Sequence, residues 1–128
     1  MPFVQIYLGK HLSQQNKKDI SLAVHQSLVD IFSIPQADYF QVIHAMEPGD
    51  ILYPESYFDV PHTDNLLCIR ITARAGRTPD IKQALYEKIA SRIAAATPVS
   101  ADDVIIIFVE NDLEDWSFGR GIAQMVKK

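Results

Sequence analysis

The sequence predicts an α/β fold of the α+β kind, in which two copies of a βαβ unit form one four-stranded mixed sheet with both helices on one face. Two observations predict it. Strand-like alternation flanks each of two helix-like stretches, and residues 4–44 share their layout with residues 67–108. The repeat aligns the segment VQIYLGKHLSQQNKKDI with LCIRITARAGRTPDIKQ, and SIPQADYFQVIH with TPVSADDVIIIF, so that Asp38 matches Asp102. Because only two copies occur, a duplicated unit explains the pattern better than a solenoid does.

The first unit reads as strand, helix and strand. Residues 3–9 alternate as a strand with one buried face does. Ser13 is a favourable helix N-cap, and the apolar residues after it recur at helical spacing, which leaves His25 on the solvent side. Residues 39–45 alternate again and form the second predicted strand. The apolar stripe of the predicted helix consists of Ile20, Val24, Leu28 and Ile31.

The second unit follows a turn-rich stretch, residues 47–65, that holds three of the seven prolines. Residues 66–73 predict the third strand, and the run Thr78, Pro79 and Asp80 is a strong helix start. Residues 104–109, VIIIFV, predict a strand that is buried on both faces. Because no remaining segment covers the second face of the sheet, we expect another copy of the chain to cover it. The apolar stripe of the second helix consists of Ile81, Leu85, Ile89 and Ile93.

Length and composition limit the class of protein. The 128 residues fit one domain, made of repeats at about 3–45 and 66–110 and a C-terminal segment. A net charge of −4 without a basic run argues against nucleic acid or an anionic membrane as a partner. With one cysteine, no signal-peptide pattern and no membrane-span length, we expect a cytoplasmic protein in which Cys68 is a buried packing residue. The histidines and Cys68 show no metal-ligand spacing, and no phosphate loop is found, so no metal and no cofactor is expected.

Three chemically useful residues converge at one edge of the predicted sheet. Both strands of a parallel βαβ unit begin at the same edge, which brings Pro2 next to Asp38. The third strand runs the opposite way, so its end brings Arg74 and Arg77 to that edge. If Met1 is removed, Pro2 carries a free secondary amine. Plain structural interpretations also exist, because proline suits the start of a strand, Asp38 suits a turn and Arg74 suits a solvated strand end.

The opposite edge of the predicted sheet lacks this combination of residues. Asp102 precedes the last strand there, but Asn65 or Leu66 stands where the amine would be. His11 and Gln14 roughly replace the arginines. We therefore expect one active site in each chain.

The chain resembles the tautomerase superfamily, whose members use an amino-terminal proline exposed by methionine removal. The segments MPF, IPQAD, PHTDN, ITAR and FVENDLEDWSFGRGIAQ carry the resemblance, which is greatest to the malonate semialdehyde decarboxylases. It implies a tautomerase fold like that of macrophage migration inhibitory factor, and a homotrimer. It also implies that Pro2 is the catalytic amine, that Asp38 works with water and the amine, and that Arg74 binds the substrate carboxylate. By the same resemblance, Trp116 and Phe118 belong to an apolar wall.

The second arginine of the family falls on Gly76 here, and Arg77 is one position further on, as a candidate substrate-binding residue. The implied function is that of an enzyme acting on small oxo acids, by decarboxylation or hydration through a cationic Pro2. An ionised Asp38 would raise the pKa of the Pro2 amine, whereas burial and Arg74 would lower it. Two alternatives stay open: a keto-enol tautomerase of the phenylpyruvate type, and a non-catalytic trimeric binding module.

Overall fold

The computed structural model describes residues 2–126, and Met1, on whose removal the free amine depends, lies outside them. Its four-stranded sheet has the predicted arrangement, in the order β2 (Gln41–Met46), β1 (Phe3–Gly9), β5 (Leu67–Arg74) and β6 (Val104–Asn111). The pairs β1–β2 and β5–β6 are parallel, and the central pair β1–β5 is antiparallel. The predicted fold class is confirmed. The elements are β1 Phe3–Gly9, α1 Gln14–Phe32, β2 Gln41–Met46, β3 Ser56–Tyr57, β4 Val60–Pro61, β5 Leu67–Arg74, α2 Pro79–Ala96 and β6 Val104–Asn111.

Both helices begin where the sequence predicts. The Ser13 hydroxyl accepts from the backbone N–H of Asn16, and the Asn16 side chain accepts from the backbone N–H of Ser13. Thr78 caps α2 by accepting from the N–H of Ile81, and Pro79 occupies the first helical position, where no N–H is needed. Such caps satisfy backbone donors that the first helical turn leaves unpaired, each worth about 1 kcal/mol.

The core lies between the helices and one face of the sheet. Each fully buried Leu or Ile contributes about 1.5–3 kcal/mol through the hydrophobic effect. The prediction of the helical stripes holds except at their ends, because Ile31 is half-buried and Ile81 is 38% exposed. The core side chains of the two central strands and the two helices include Val4, Ile6, Leu8, Leu67, Ile69, Ile71, Ile20, Val24, Leu28, Leu85, Ile89 and Ile93.

The second face of the sheet is open in the single chain. Ile107 of β6 is 53% exposed, and Ile105 and Val109 are only partly buried. The prediction of a strand buried on both faces is therefore not met within one chain. Cys68, predicted to be buried, is half-buried because its strand position faces away from the helices. No helix among residues 2–126 is long and apolar enough to cross a membrane.

His25 contradicts the sequence prediction of a solvated side chain. It is 2% exposed, and its Nε2 lies 2.8 Å from the carbonyl oxygen of Gln36. The ring of Tyr39 packs edge-on against it, at 4.3 Å between centroids. The helix buries this flank because the connection from α1 to β2 folds back over it, which periodicity within the helix does not reveal.

Strand pairing aligns the second strands of the two repeats one residue differently from the sequence alignment. Val4 pairs with Gln41, whereas Leu67 pairs with Val104. Because Val4 and Leu67 are equivalent in the repeat, Asp38 corresponds to Ala101 rather than to Asp102. The paired positions are 37 residues apart in both units, and β6 is preceded by a 3-10 turn at Ala101–Asp103. The turn-rich stretch also contains a two-stranded hairpin, β3 and β4, that the sequence analysis did not predict.

Candidate active site

Pro2, Asp38 and Arg74 lie at the same edge of the sheet. Pro2 is buried directly before β1, and Phe3 pairs with Thr72, so Arg74 at the end of β5 reaches the level of the chain start. The carbonyl oxygen of Phe40 accepts from the N–H of Val4 at 3.0 Å, which holds the approach to β2 against β1. Asp38 lies two residues before that contact, is half-buried, and donates its own N–H to Pro35 at 3.0 Å. The predicted convergence of these backbone positions is therefore met.

The two arginines at this edge differ in their surroundings. Arg74 is exposed and, like Arg70, alternates with the buried side chains of β5, so it lies on the open face. Arg77 is half-buried, and its Nη1 donates to the carbonyl oxygen of Arg74 at 3.2 Å. Its Cζ lies 4.5 Å from the centroid of the Phe32 ring. Burial, and then the charge of Arg74, lower the pKa of Arg77, while Glu110 raises it.

A cleft of about 280 Å³ lies beside the arginines, between the end of α1 and the loop after β5. Guanidinium groups in such a place suit a small anion, because they offer several donors in one plane. The lining residues include Ile31, Phe32, Ser33, Arg74, Gly76, Arg77 and Ile81.

Aromatic side chains form a stack near the same edge. The ring of Trp116 lies parallel to that of Phe118, at 5.4 Å between centroids. Phe118 also contacts Phe40, at 5.9 Å. The indole Nε1 of Trp116 donates to Oδ1 of Asn111 at 2.9 Å. Trp116 and Phe118 were predicted from the sequence as site residues, whereas Phe40 and Asn111 were not, although a polar Asn111 two residues after the predicted apolar strand 104–109 was a usable signal.

The opposite edge of the sheet has a different character. His11 and Asn65 meet there, with 2.8 Å between Nε2 and Oδ1, so neither an amine nor a guanidinium takes the place of Pro2 and Arg74. A cleft of about 410 Å³ at this edge is lined by the acidic residues Glu47 and Asp64, and by no arginine among residues 2–126. Lys10 pairs with Glu47 at 2.8 Å, so Asp64 is the acidic side chain of this lining without a cationic ion-pair partner among the residues that the structure describes, and the cleft suits an anion less well than the one beside the arginines.

The described part of the chain contains no group of three or more His, Cys, Asp or Glu side chains that could hold a metal ion. The groups at the Pro2 edge are the Pro2 nitrogen, which is a free amine when Met1 is removed, a carboxylate, guanidinium groups and aromatic rings. Together they can bind a small carboxylate and move protons beside it.

Two family models, both described as tautomerase enzyme, match this chain at residues 38–119 and 2–58. Among curated proteins, the chain is 42% identical over 127 residues to the probable tautomerase YusQ of Bacillus subtilis, covering 99% of this chain and 100% of that protein. It is 29% identical to the probable tautomerase YrdN of the same organism, covering 98% of this chain and 97% of that protein.

Solved structures show the same likeness. A malonate semialdehyde decarboxylase inhibited by 3-bromopropiolate superposes with a TM-score of 0.90 and 34% identity, covering 97% of this chain and 94% of that chain. A second, studied for its decarboxylase and hydratase activities, has a TM-score of 0.89 and 26% identity, covering 97% of this chain and 95% of that one. A fused 4-OT symmetric trimer, 15% identical with a TM-score of 0.80, covers 98% of this chain and 99% of its own and shows the fold alone. The resemblance seen in the sequence is thus confirmed.

Proposed function

Because this chain belongs to the tautomerase family, we propose that it is an enzyme that acts on small oxo acids through the amine of Pro2. The position of Pro2, Asp38 and Arg74 at one edge of the sheet is the observation that carries the proposal. Likeness to two malonate semialdehyde decarboxylases supports decarboxylation or hydration as the reaction.

Decarboxylation of a 3-oxo acid follows from the chemistry of these groups. The Arg74 guanidinium binds the carboxylate through two parallel hydrogen bonds. A protonated Pro2 donates to the carbonyl oxygen, so the bond to the carboxyl carbon breaks, carbon dioxide leaves, and the electron pair forms an enol. A proton then returns to carbon and the enol becomes the aldehyde or ketone. Hydration uses the same groups, with Asp38 taking a proton from the attacking water.

The protonation state of Pro2 decides between this chemistry and its alternative. An ionised Asp38 beside the amine favours the protonated form, which suits decarboxylation. A neutral Pro2 would instead remove a proton next to a carbonyl and return it elsewhere, which is keto-enol tautomerisation. The relatives named probable tautomerases favour this as the second candidate function.

We also propose that the chain forms a homotrimer. The open apolar face around Ile107 needs a cover, and a fold neighbour is a symmetric trimer. In this arrangement each chain keeps one active edge. The partners of the protein are then a small oxo acid and two further copies of itself.

The test is a kinetic panel on protein whose N-terminus is verified by intact mass. The substrates are malonate semialdehyde, phenylpyruvate and acetylenic oxo acids. Turnover of malonate semialdehyde supports the first candidate, and faster turnover of phenylpyruvate supports the second. We expect Pro2→Ala to lower the rate by about 10²- to 10⁴-fold, the usual contribution of a positioned proton-transfer group.

A matched control is Pro54→Ala, at an exposed proline outside the site. It should leave the rate unchanged. Full activity of Pro2→Ala would overturn the catalytic role of Pro2. Binding of malonate without turnover of any substrate would favour the non-catalytic binding module instead.

A further inference from the structure

The C-terminal arch, residues 112–124, crosses the end of the sheet at the Pro2 edge. It leaves β6, which is one outer strand, and its Phe118 meets Phe40, which directly precedes β2 at the other outer strand. Strands lie about 4.8 Å apart, so the two outer strands are about 14 Å apart. The seven Cα–Cα steps from Asn111 to Phe118 would span at most about 25 Å when extended, and the 3-10 turn at Leu113–Asp115 shortens this to about 19 Å, which is still enough. The arch therefore bridges the two outer strands at this edge of the sheet.

Asn111 anchors the arch at its start. It is the last residue of β6, and it pairs in register with Arg74. Its Oδ1 accepts from the indole N–H of Trp116 at 2.9 Å, and its carbonyl oxygen accepts from the N–H of Ala75 at 2.7 Å. Asn111 thus links the Trp116 indole, through its side chain, to the end of β5 that carries Arg74, through its backbone.

A second set of contacts holds the far end of the arch. The side-chain oxygen of Gln124 accepts from the N–H of Phe118 at 2.9 Å, and its amide donates to the carbonyl of Gly119 at 3.0 Å. The turn between them uses three successive left-handed residues, with φ of 125° at Gly119, 60° at Arg120 and 66° at Gly121. Glycine adopts this region without cost, so the two glycines allow the turn to close.

We propose that Asn111 is a positioning residue that fixes Trp116, and through it the C-terminal arch, over the Arg74 end of the substrate site. The proposal rests on the proposed function for the identity of the bound anion. The bond holds the Trp116 indole parallel to Phe118, so that the substrate meets an apolar surface on one side and the guanidinium of Arg74 on the other. Asn111 contributes to binding an oxo acid against Arg74, and it takes no part in the proton transfer.

Trp116 is the only tryptophan of the chain, so tryptophan fluorescence reports on the surroundings of this one side chain. The experiment compares wild type, Asn111→Leu, Trp116→Phe and the double variant. Asn111→Leu should shift the emission of Trp116 and make it easier to quench with acrylamide. It should raise KM for the oxo acid about 2- to 13-fold, as expected for one lost neutral hydrogen bond, with kcat nearly unchanged.

The double variant tests whether Asn111 acts through Trp116. Because Trp116→Phe already lacks the indole N–H, adding Asn111→Leu should raise KM no further. Additive effects would overturn the proposal. The matched control is Asn65→Leu, which removes an Asn oxygen from a ring nitrogen at the opposite edge and should change neither the Trp116 emission nor KM.

Malonate separates this proposal from the proposed function. If no oxo acid is turned over, the Kd of malonate, read from Trp116 fluorescence, replaces KM. Weaker malonate binding in Asn111→Leu then supports the positioning role even though the catalytic proposal fails. Unchanged Trp116 emission in Asn111→Leu, or no response of wild-type Trp116 to malonate or any oxo acid, overturns the proposal.

Discussion

The guanidinium of Arg77 lies over the ring of Phe32, with 4.5 Å between Cζ and the ring centroid. This contact joins the loop after β5 to the end of α1. The preceding residue, Gly76, has a φ of 129°, a conformation that side chains rarely adopt. An arginine at position 76 would therefore be strained, and the guanidinium of this loop is carried by Arg77 instead.

Replacement of Arg77 by methionine should destabilise the protein and weaken substrate binding. Loss of the contact with Phe32 costs about 0.5–2 kcal/mol of the free energy of unfolding. Loss of the positive charge beside the 280 Å³ cleft should raise KM for an anionic substrate. Urea denaturation and steady-state kinetics measure the two effects.

Lys82→Met is the control, because Lys82 also contacts a ring, at 5.3 Å from the Phe108 centroid, and is paired with Glu110 at 2.9 Å, outside the cleft lining. It should lower stability and leave KM unchanged. If the Arg77→Met variant keeps the wild-type KM, Arg77 contributes to stability and not to substrate binding.

Replacement of Arg74 by lysine keeps the charge but removes the planar pair of donors. If Arg74 holds the substrate carboxylate, losing one hydrogen bond to a charged group costs about 1.5–3 kcal/mol, or about a 10- to 150-fold lower kcat/KM. Kinetics on the best oxo acid measures it. Arg92→Lys, in an ion pair with Asp30 between the helices, is the control and should stay near wild type. Equal kcat/KM in both variants would exclude the binding role.

Ile107→Lys should weaken self-association. Ile107 is 53% exposed on the open sheet face, and a lysine buried between copies would pay a large desolvation penalty. If the proposed homotrimer forms through this face, analytical ultracentrifugation should show a trimer for the wild type and dissociated chains for this variant. Leu22→Lys, at a residue 57% exposed on α1, should remain trimeric. Dissociation by Leu22→Lys instead would place the interface on the helices.

Cys68 should make stability depend on pH above the neutral range. Burial raises the pKa of the Cys68 thiol in the folded chain. The folded state therefore keeps a proton that the unfolded state has lost, and the free energy of unfolding falls as pH rises from the ordinary thiol pKa towards the raised value. The contribution of the Cys68 thiol to the free energy of unfolding is fully present below the ordinary thiol pKa. Urea denaturation across this range, compared with Cys68→Ser, isolates the effect, and identical pH profiles would contradict it.

Local patterns predicted most of the elements and their order. Alternation in residues 3–9 and the cap residues Ser13 and Thr78 mark element starts within one residue, because both signals depend on neighbours in the chain. The duplicated unit predicted the sheet arrangement, and with it the meeting of Pro2 with Arg74. Trp116 and Phe118 were predicted as site residues from the resemblance of the C-terminal segment to the tautomerase superfamily, because no periodicity marks them.

The amino-acid sequence by itself thus determined the two βαβ units, the helix starts and the edge at which the candidate site lies. Only the tertiary structure decided the burial of His25, the one-residue shift that separates Asp38 from Asp102, and the bonds of Asn111 to Trp116 and of Arg77 to Arg74. The burial of His25 depends on the connection to β2 folding back over α1, the shift depends on strand register, and the two bonds depend on the paths of the loops after β5 and β6. A slip of one residue exchanges the two faces of a strand while leaving its alternation intact, so the local pattern cannot report it.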